Sequence, residues 1–352
     1  MSQFDTVTIT YKGELPLLDL QARSFRLVDP AIVGTIFIAV NDKAFAECED
    51  HIEKVTRPLF GPLSGKVRVV SASEAGARTR IGGWFMQQAL KLVLSRFCTS
   101  PYMLILDSKI HFVRPIDATT FVMPDGRPKV SVKPRVGQSR QREWLVDSLA
   151  YFNHDPSLCE LPAPPSNPPY CVWTADVREL VDVLEERGGK TVFDVFAERK
   201  SKITEFLLIY SYQLKKYHNY ESRMAPGSRP HYCFFRTSPT GARRGEFLAS
   251  VERGESPTFG VHRDRFCQLT PVERRRVAAV WADAGLFQSL AEATEEMDRL
   301  IATYPATVFK GRLLGPAAED LLQMPGDQTA LDMSADPEGG LGLPSDQSPS
   351  ER

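Results

Sequence analysis

Apolar and polar positions change period in blocks through the first half of the chain. Residues 6–11, 34–40 and 67–71 read as strands, and residues 14–27 and 43–55 between them read as helices. Strand and helix alternating in this way predict a largely parallel sheet with right-handed crossovers. From Gly83 onward, Phe85, Ala89, Leu92, Val93 and Phe97 recur close to a 3.6-residue period. That spacing predicts a helix with this face on the sheet, and Gln88 and Lys91 away from the centre of the stripe. Pro101 ends the helical region, and the apolar run from Tyr102 to Leu106 then reads as a buried strand. The run stops at Asp107-Ser108-Lys109, and the carboxyl end of a strand is where an open α/β sheet presents its chemistry.

The second half is less regular. Residues 121–172 read as irregular, and PAPPSNPP at 162–169 fits neither a helix interior nor a central strand. Helices are predicted at 175–186, closed by Gly188-Gly189, and at 203–216, where Phe206, Leu207, Tyr210 and Leu214 form a stripe. Thr270-Pro271-Val272-Glu273 combines an N-cap, a first-turn proline and a capping glutamate, so a helix starts there and runs to about Ala284, where Gly285 stops it. A further amphipathic helix covers residues 289–303. Beyond Pro316, Gly, Pro, Ser and Asp rise while aromatics vanish, which predicts disorder. The expected organisation is an α/β domain at 1–290, a helical extension at 291–315 and an acidic tail at 316–352.

Composition narrows the classes. The chain has 352 residues and 42% apolar content, enough for a full α/β core. Its formal charge of -1 is uneven, because residues 316–352 carry eight acidic side chains and one basic one. The remaining body is mildly basic, which suits an anionic ligand such as a diphosphate and falls short of a nucleic-acid-binding face. The six cysteines are scattered without a CxxC pair, so buried free thiols are expected. The amino terminus lacks a signal pattern, and the longest apolar run, residues 31–40, is half of the roughly 20 residues a membrane helix needs. A cytoplasmic protein is expected; peripheral membrane association would need no spanning helix.

Several side chains are candidates for chemistry. At the strand end, the Asp107 carboxylate can hold a ribose hydroxyl or help position a metal, and the plainer reading is a turn residue. Lys109 would point to the same side if the strand continued, where its ammonium could offset diphosphate charge; otherwise it is a solvated lysine. Tyr11 and Asn41-Asp42 close the first two strands and could hold a base and ribose, although Asn-Asp is also good turn chemistry. Arg78, Arg80, Gly82 and Gly83 precede a helix whose N-terminus could receive an anion. Glu205 opens its helix, where it could take a proton, bind an acceptor hydroxyl, or merely complement the helix dipole. His262, beside Arg263 and Arg265, could contact phosphate or metal, or be a structural histidine. No GxSxG elbow, P-loop or GxGxxG fingerprint is present.

Taken together, VTITYKGELPLLDLQARS at 7–24, IAVND at 38–42, GGWFMQQALKL at 82–92, LDSKIHFVRP at 106–115, ITEFLLIY at 203–210 and VHR at 261–263 make the chain resemble a bacterial family of uncharacterised glycosyltransferase-like proteins. The resemblance spans roughly residues 5–290. It implies the GT-A fold, a Rossmann-like, mostly parallel central sheet flanked by helices, here with a C-terminal helical segment. It also implies a hexosyltransferase-type enzyme of polysaccharide biosynthesis that uses a nucleotide-sugar and a glycan or lipid-linked acceptor. Asp107 would match the first aspartate of the D-x-D motif, whereas Lys109 departs from its last, where Mn or Mg would otherwise be held. His262 would match a late histidine near metal or diphosphate, and Glu205 an acidic residue near the acceptor. Asp107, Lys109 and Glu205 are thus expected to carry the chemistry. Tyr11, Asp42, Arg78, Gly83, Gln88, Lys91 and His262 are expected to bind the donor, and no residue is assigned as a metal ligand. The rival reading keeps the fold as a non-catalytic nucleotide-sugar-binding or glycan-assembly protein.

Overall fold

The computed structural model describes residues 3–305 apart from 79–80, 82, 133–139, 165–166, 199–202, 227–230 and 235–241, together with 308–309 and 312–313. Arg80, Gly82 and the acidic tail at 316–352 therefore lie outside the described residues. The strands used below are β1 (Phe4–Thr10), β2 (Val33–Val40), β3 (Val67–Ser71), β4 (Tyr102–Asp107), β5 (Ile110–Phe112), β6 (Lys129–Val130), β7 (Tyr170–Trp173), β8 (Ala225–Pro226), β9 (Tyr232–Phe234) and β10 (Thr258–Val261). The main sheet runs β3-β2-β1-β4-β7. Its first four strands are mutually parallel, and β7 lies antiparallel on β4. The fold is mixed α/β with a mostly parallel central sheet flanked by helices, as the alternation predicts.

Burial on both faces explains the strand composition. All seven residues of β1 are buried, and strands covered on both sides read as continuous rather than alternating apolar runs. One face of the sheet meets the helices Gly83–Val93 and Glu205–Tyr217 through Val7, Ile9, Phe37, Leu90, Val93 and Leu207. The other packs Ile38, Leu104 and Leu106 against Leu18 and Phe25 of the segment after β1. A third core joins Leu17 and Leu20 to Phe259, Trp281, Met297 and Leu300. Helix Leu290–Thr303 is tied to the body by that core, which Met297 and Leu300 enter.

Local signals hold where the chain punctuates itself. Thr270 and Glu273 form the reciprocal capping box of helix Pro271–Asp283, and Gly285 ends that helix region at φ +71, a left-handed conformation that glycine adopts without strain. The irregular reading of residues 121–172 needs correction, since helix Arg140–Tyr151 and strand β7 lie within it. That helix buries Trp144, Leu145 and Leu149 beneath a mostly polar surface, so its periodic signal is thin. β7 is a four-residue edge strand that acquires its structure by pairing with β4. The segment read as a helix at 43–55 is helical from Phe45 to Leu59, with a π stretch at Ile52–Thr56 between Phe45–His51 and Arg57–Leu59. Among the described residues no helix is long and apolar enough to cross a membrane. No disulfide forms among the described residues, and five of the six cysteines are buried.

Candidate functional site

The site is built on the carboxyl edge of the main sheet. In the β1/β4 register Ile9 pairs with Asp107, and in the β1/β2 register Thr10 pairs with Val40, so Tyr11, Asn41, Asp42 and Asp107 emerge side by side. The β4 strand does not continue through Lys109 as the same-side argument assumed. Residues 108–109 form a turn before β5, and buried Gln21 explains it: its amide donates to the carbonyls of both Asp107 and Ile110 at 2.8 Å. Thr8 in turn donates to the Gln21 Oε1 at 2.9 Å. The turn still brings Lys109 back to Asp107, with Nζ 2.8 Å from Oδ2.

Asp107 is the centre of a chain of four charges, of which Lys91 and Glu205 are buried and Asp107 and Lys109 partly buried. Lys91 Nζ lies 3.0 Å from Asp107 Oδ1 and 3.0 Å from Glu205 Oε1. Lys91 is 4% exposed and Glu205 1%. Burial alone would pull the Lys91 ammonium down and push the carboxyls up. For Lys91, Asp107 and Glu205 more than offset burial, and its affinity for the proton ends above the ordinary lysine value. For Asp107, burial is likewise overcome by Lys109 and Lys91, which hold the carboxyl well below its usual range. Burial also opposes the charge on Lys109, and Asp107 raises it well above normal. Glu205 behaves differently: burial outweighs Lys91, so its carboxyl is raised. Its second oxygen, Oε2, is buried with no hydrogen-bond partner.

Gln88 serves this quartet rather than an exposed helix surface. Its Oε1 accepts from the Glu205 backbone N–H at 3.2 Å, satisfying one of the donors a helix start leaves unpaired. The Lys91 ammonium also lies 5.2 Å from the centre of the Phe206 ring, a cation–π contact. The described part of the Gly83–Val93 helix is buried at Met86 and from Gln88 through Val93, because helices Thr174–Gly188, Val192–Ala197 and Glu205–Tyr217 pack on it as well as the sheet.

A second cluster forms at the ends of β1 and β2. Asp42 accepts from the Lys12 backbone N–H and from its own turn, the Ala44 N–H, each at 2.9 Å. The Arg263 guanidinium donates to the Tyr11 hydroxyl and lies 5.3 Å from its ring centre. Gly13 permits this approach, since a Cβ there would come within 2.8 Å of the Tyr11 ring. Asn41 donates to the Gly83 carbonyl at 2.9 Å, tying the β2 end to the following helix. Arg78 is exposed. His262 is buried, and its Nδ1 accepts from the Asp264 N–H at 3.2 Å. The structure thus joins Asp107, Lys109, Lys91, Glu205 and Gln88 in one group and Tyr11 with Arg263 in another.

Gln21 and the pairing of Arg263 with Tyr11 are features of the candidate site that the sequence reading did not assign. A polar residue within the leucine-rich segment LPLLDLQARS was a signal for Gln21; Arg263 pairs across 252 positions and left none. His111 is structural: burial lowers its pKa to about 3, and Trp281 donates to its Nε2 at 2.8 Å. The quartet also bears on a divalent metal. Both Asp107 oxygens already face ammonium groups, and among the described residues no three His, Cys, Asp or Glu side chains come together as a ligand set. These residues do not fit a resident Mn or Mg ion.

Solved structures similar to the chain include a galactosyltransferase, LgtC, in complex with donor and acceptor sugar analogues, at 12% identity and TM-score 0.39 over 87% of this chain and 98% of that one. The apo-form glycosyltransferase GlyE of Streptococcus pneumoniae matches at 9% identity and TM-score 0.39, over 87% of this chain and 65% of that one. Glucosyl-3-phosphoglycerate synthase from Mycobacterium tuberculosis, in complex with Mn2+, uridine diphosphate and glucosyl-3-phosphoglycerate, matches at 18% identity and TM-score 0.31, over 51% of this chain and 58% of that one. Likenesses this loose assign no role to any residue of this chain. No curated protein matches it. A family model matches residues 6–226, which hold the main sheet, Gln21, Gln88 and the complete ion quartet, and the chain belongs to that family, described as a family of unknown function (DUF6492).

Proposed function

We propose that the chain is a glycosyltransferase that moves a sugar from a nucleotide-diphosphate donor to a glycan or lipid-linked acceptor, with Lys109 supplying cationic charge where a divalent metal would otherwise act. The observation that carries this reading is the Lys109–Asp107–Lys91–Glu205 chain at the carboxyl edge of the sheet. In the reaction the bond from sugar C1 to the diphosphate oxygen breaks, and the diphosphate leaves with the electron pair. The acceptor hydroxyl oxygen forms the new bond to C1, and its proton passes to an oxygen of the departing diphosphate. In this reading the Lys109 ammonium meets the charge growing on the diphosphate, and preorganised charge of this kind is commonly the largest catalytic contribution. Asp107 and Lys91 hold that ammonium in place. Glu205 is assigned to the acceptor side, Tyr11 and Asp42 to the nucleoside, and Arg78 and His262 to the diphosphate.

The test is a panel of UDP-, GDP- and CDP-sugars assayed in chelator for calorimetric heat and for nucleotide release with glycan acceptors. Binding and release that persist in chelator and fall at least 100-fold in Lys109→Met support the proposal. No heat and no release with any donor overturn it. The mutual neutralisation of the four charges also favours a second reading, a nucleotide-sugar-binding protein without turnover. Lys109→Asp separates the two: Mn2+-dependent turnover appearing in the variant marks a degenerate metal site, whereas loss of existing activity marks the lysine as the working cation.

A further inference from the structure

A cavity of about 690 Å³ lies beside the carboxyl-terminal half of helix Glu205–Tyr217, and none of the four charged residues lines it. Its walls include Phe152, Leu158, Tyr210, Leu214 and Tyr220, and its polar groups include Lys215, His218, Asn219 and Glu221. This is the size and make-up of small-molecule sites, apolar and aromatic walls with a few placed polar groups. Tyr210 is 3% exposed, yet among the described residues its hydroxyl makes no hydrogen bond. That hydroxyl is not a fully buried atom, so it is available to a ligand in the cavity.

We propose that this cavity is a saccharide-binding site, with Tyr210, Tyr220 and Phe152 in its wall and Lys215, Asn219 and Glu221 as rim groups. The chemistry of the lining selects the ligand class. The C–H face of a pyranose packs on the electron-rich face of an aromatic ring, while its hydroxyls need donors and acceptors together. The rim offers both: Lys215 donates, Glu221 accepts and Asn219 can do either. Lys215 and Glu221 also cancel in charge, so the rim favours a neutral polyol over an anionic headgroup.

The cavity is linked to the ion quartet by packed rings. Lys91 lies against Phe206, which stacks on Tyr170 at 4.6 Å between ring centres. The Tyr170 and Tyr220 hydroxyls are 3.4 Å apart, and Tyr220 meets Tyr210 edge to face at 4.8 Å. Along the shared helix, Glu205 and Tyr210 are separated by about 7.5 Å of rise. Tyr170 also pairs with Ile105, two residues before Asp107, so the contacts return to the edge of the sheet that carries the candidate chemistry. Assigning the saccharide as part of the acceptor rests on the glycosyltransferase reading; the binding site itself does not.

The test uses the full chain without nucleotide, with lactose, cellobiose and maltose as probes in saturation-transfer NMR and calorimetry. Binding of at least one disaccharide is expected. Leu214→Trp, which fills the cavity, and Lys215→Ala, on its exposed rim, should each weaken that binding at least tenfold. Binding lost in this pattern supports the site even if the nucleotide-sugar panel fails. No binding of any probe, or binding equally tight in both variants, overturns the site even if transfer activity is found.

Discussion

Replacing Lys91 by methionine tests whether the quartet is held together from its centre. Methionine has nearly the shape of the lysine stem, so packing is largely kept, while the charge 3.0 Å from both Asp107 and Glu205 is removed. Removing one partner of a buried ion pair typically costs about 3–5 kcal/mol. Asp107 keeps Lys109, so most of the cost falls on Glu205, whose carboxyl is already raised and has an unpartnered oxygen. The sign of the pH dependence follows. A raised folded pKa means that the native state holds the proton longer than the unfolded chain, so stability falls as pH climbs from the unfolded value toward the folded one. Without Lys91 the Glu205 pKa rises further, and the penalty should grow between pH 5 and pH 7 by at most about 1.4 kcal/mol per pH unit. Urea unfolding followed by tryptophan fluorescence at the two pH values measures this. Adding Glu205→Gln to Lys91→Met should restore about 1–3 kcal/mol at pH 7, since it removes the stranded charge. A penalty below about 1 kcal/mol, a penalty flat in pH, or strict additivity of the two substitutions would refute the account.

Three further outcomes are expected. Gln21→Leu should cost about 1–3 kcal/mol, because the Asp107 and Ile110 carbonyls and the Thr8 hydroxyl lose a shared partner; an unchanged urea midpoint would show that water replaces the amide. Asp107→Asn should be clearly less stable than the parent at pH 6, and the gap in melting temperature should narrow as pH falls through about 3.9. The folded Asp107 pKa is depressed, so its stabilisation is present above the unfolded value and lost below it; a gap that widens in acid contradicts this. Thr270→Ala should cost about 1 kcal/mol by removing the N-cap, and a loss within error would mean that the box Thr270 shares with Glu273 is replaced by solvent.

Much of the fold was written in short-range signals. The alternation through residue 107 sets out β1 to β4 and their crossover helices, the capping box marks Thr270, and the left-handed glycines mark helix ends. These depend on neighbours within a few positions, where spacing and backbone preference decide. The polar stop at Asp107 was legible for the same reason. Helix Arg140–Tyr151 and β7 were not, because a sparse stripe and a short edge strand take their order from what they pack against.

The candidate site divides along the same line. By itself the sequence determined that Asp107 ends a buried strand and that Glu205 opens a helix; the place of Lys109 at a metal-holding position is only what the resemblance implied. Only the tertiary structure decided that Lys91 joins them. Its helix reads as having one buried face, but other helices pack on it as well as the sheet, and the lysine meets a glutamate 114 positions away. A buried ammonium is tolerated only when paired, so the partner that makes Lys91 possible is also what turns four distant residues into one site. That pairing is a property of two helices packed on the same sheet, and no local pattern encodes it.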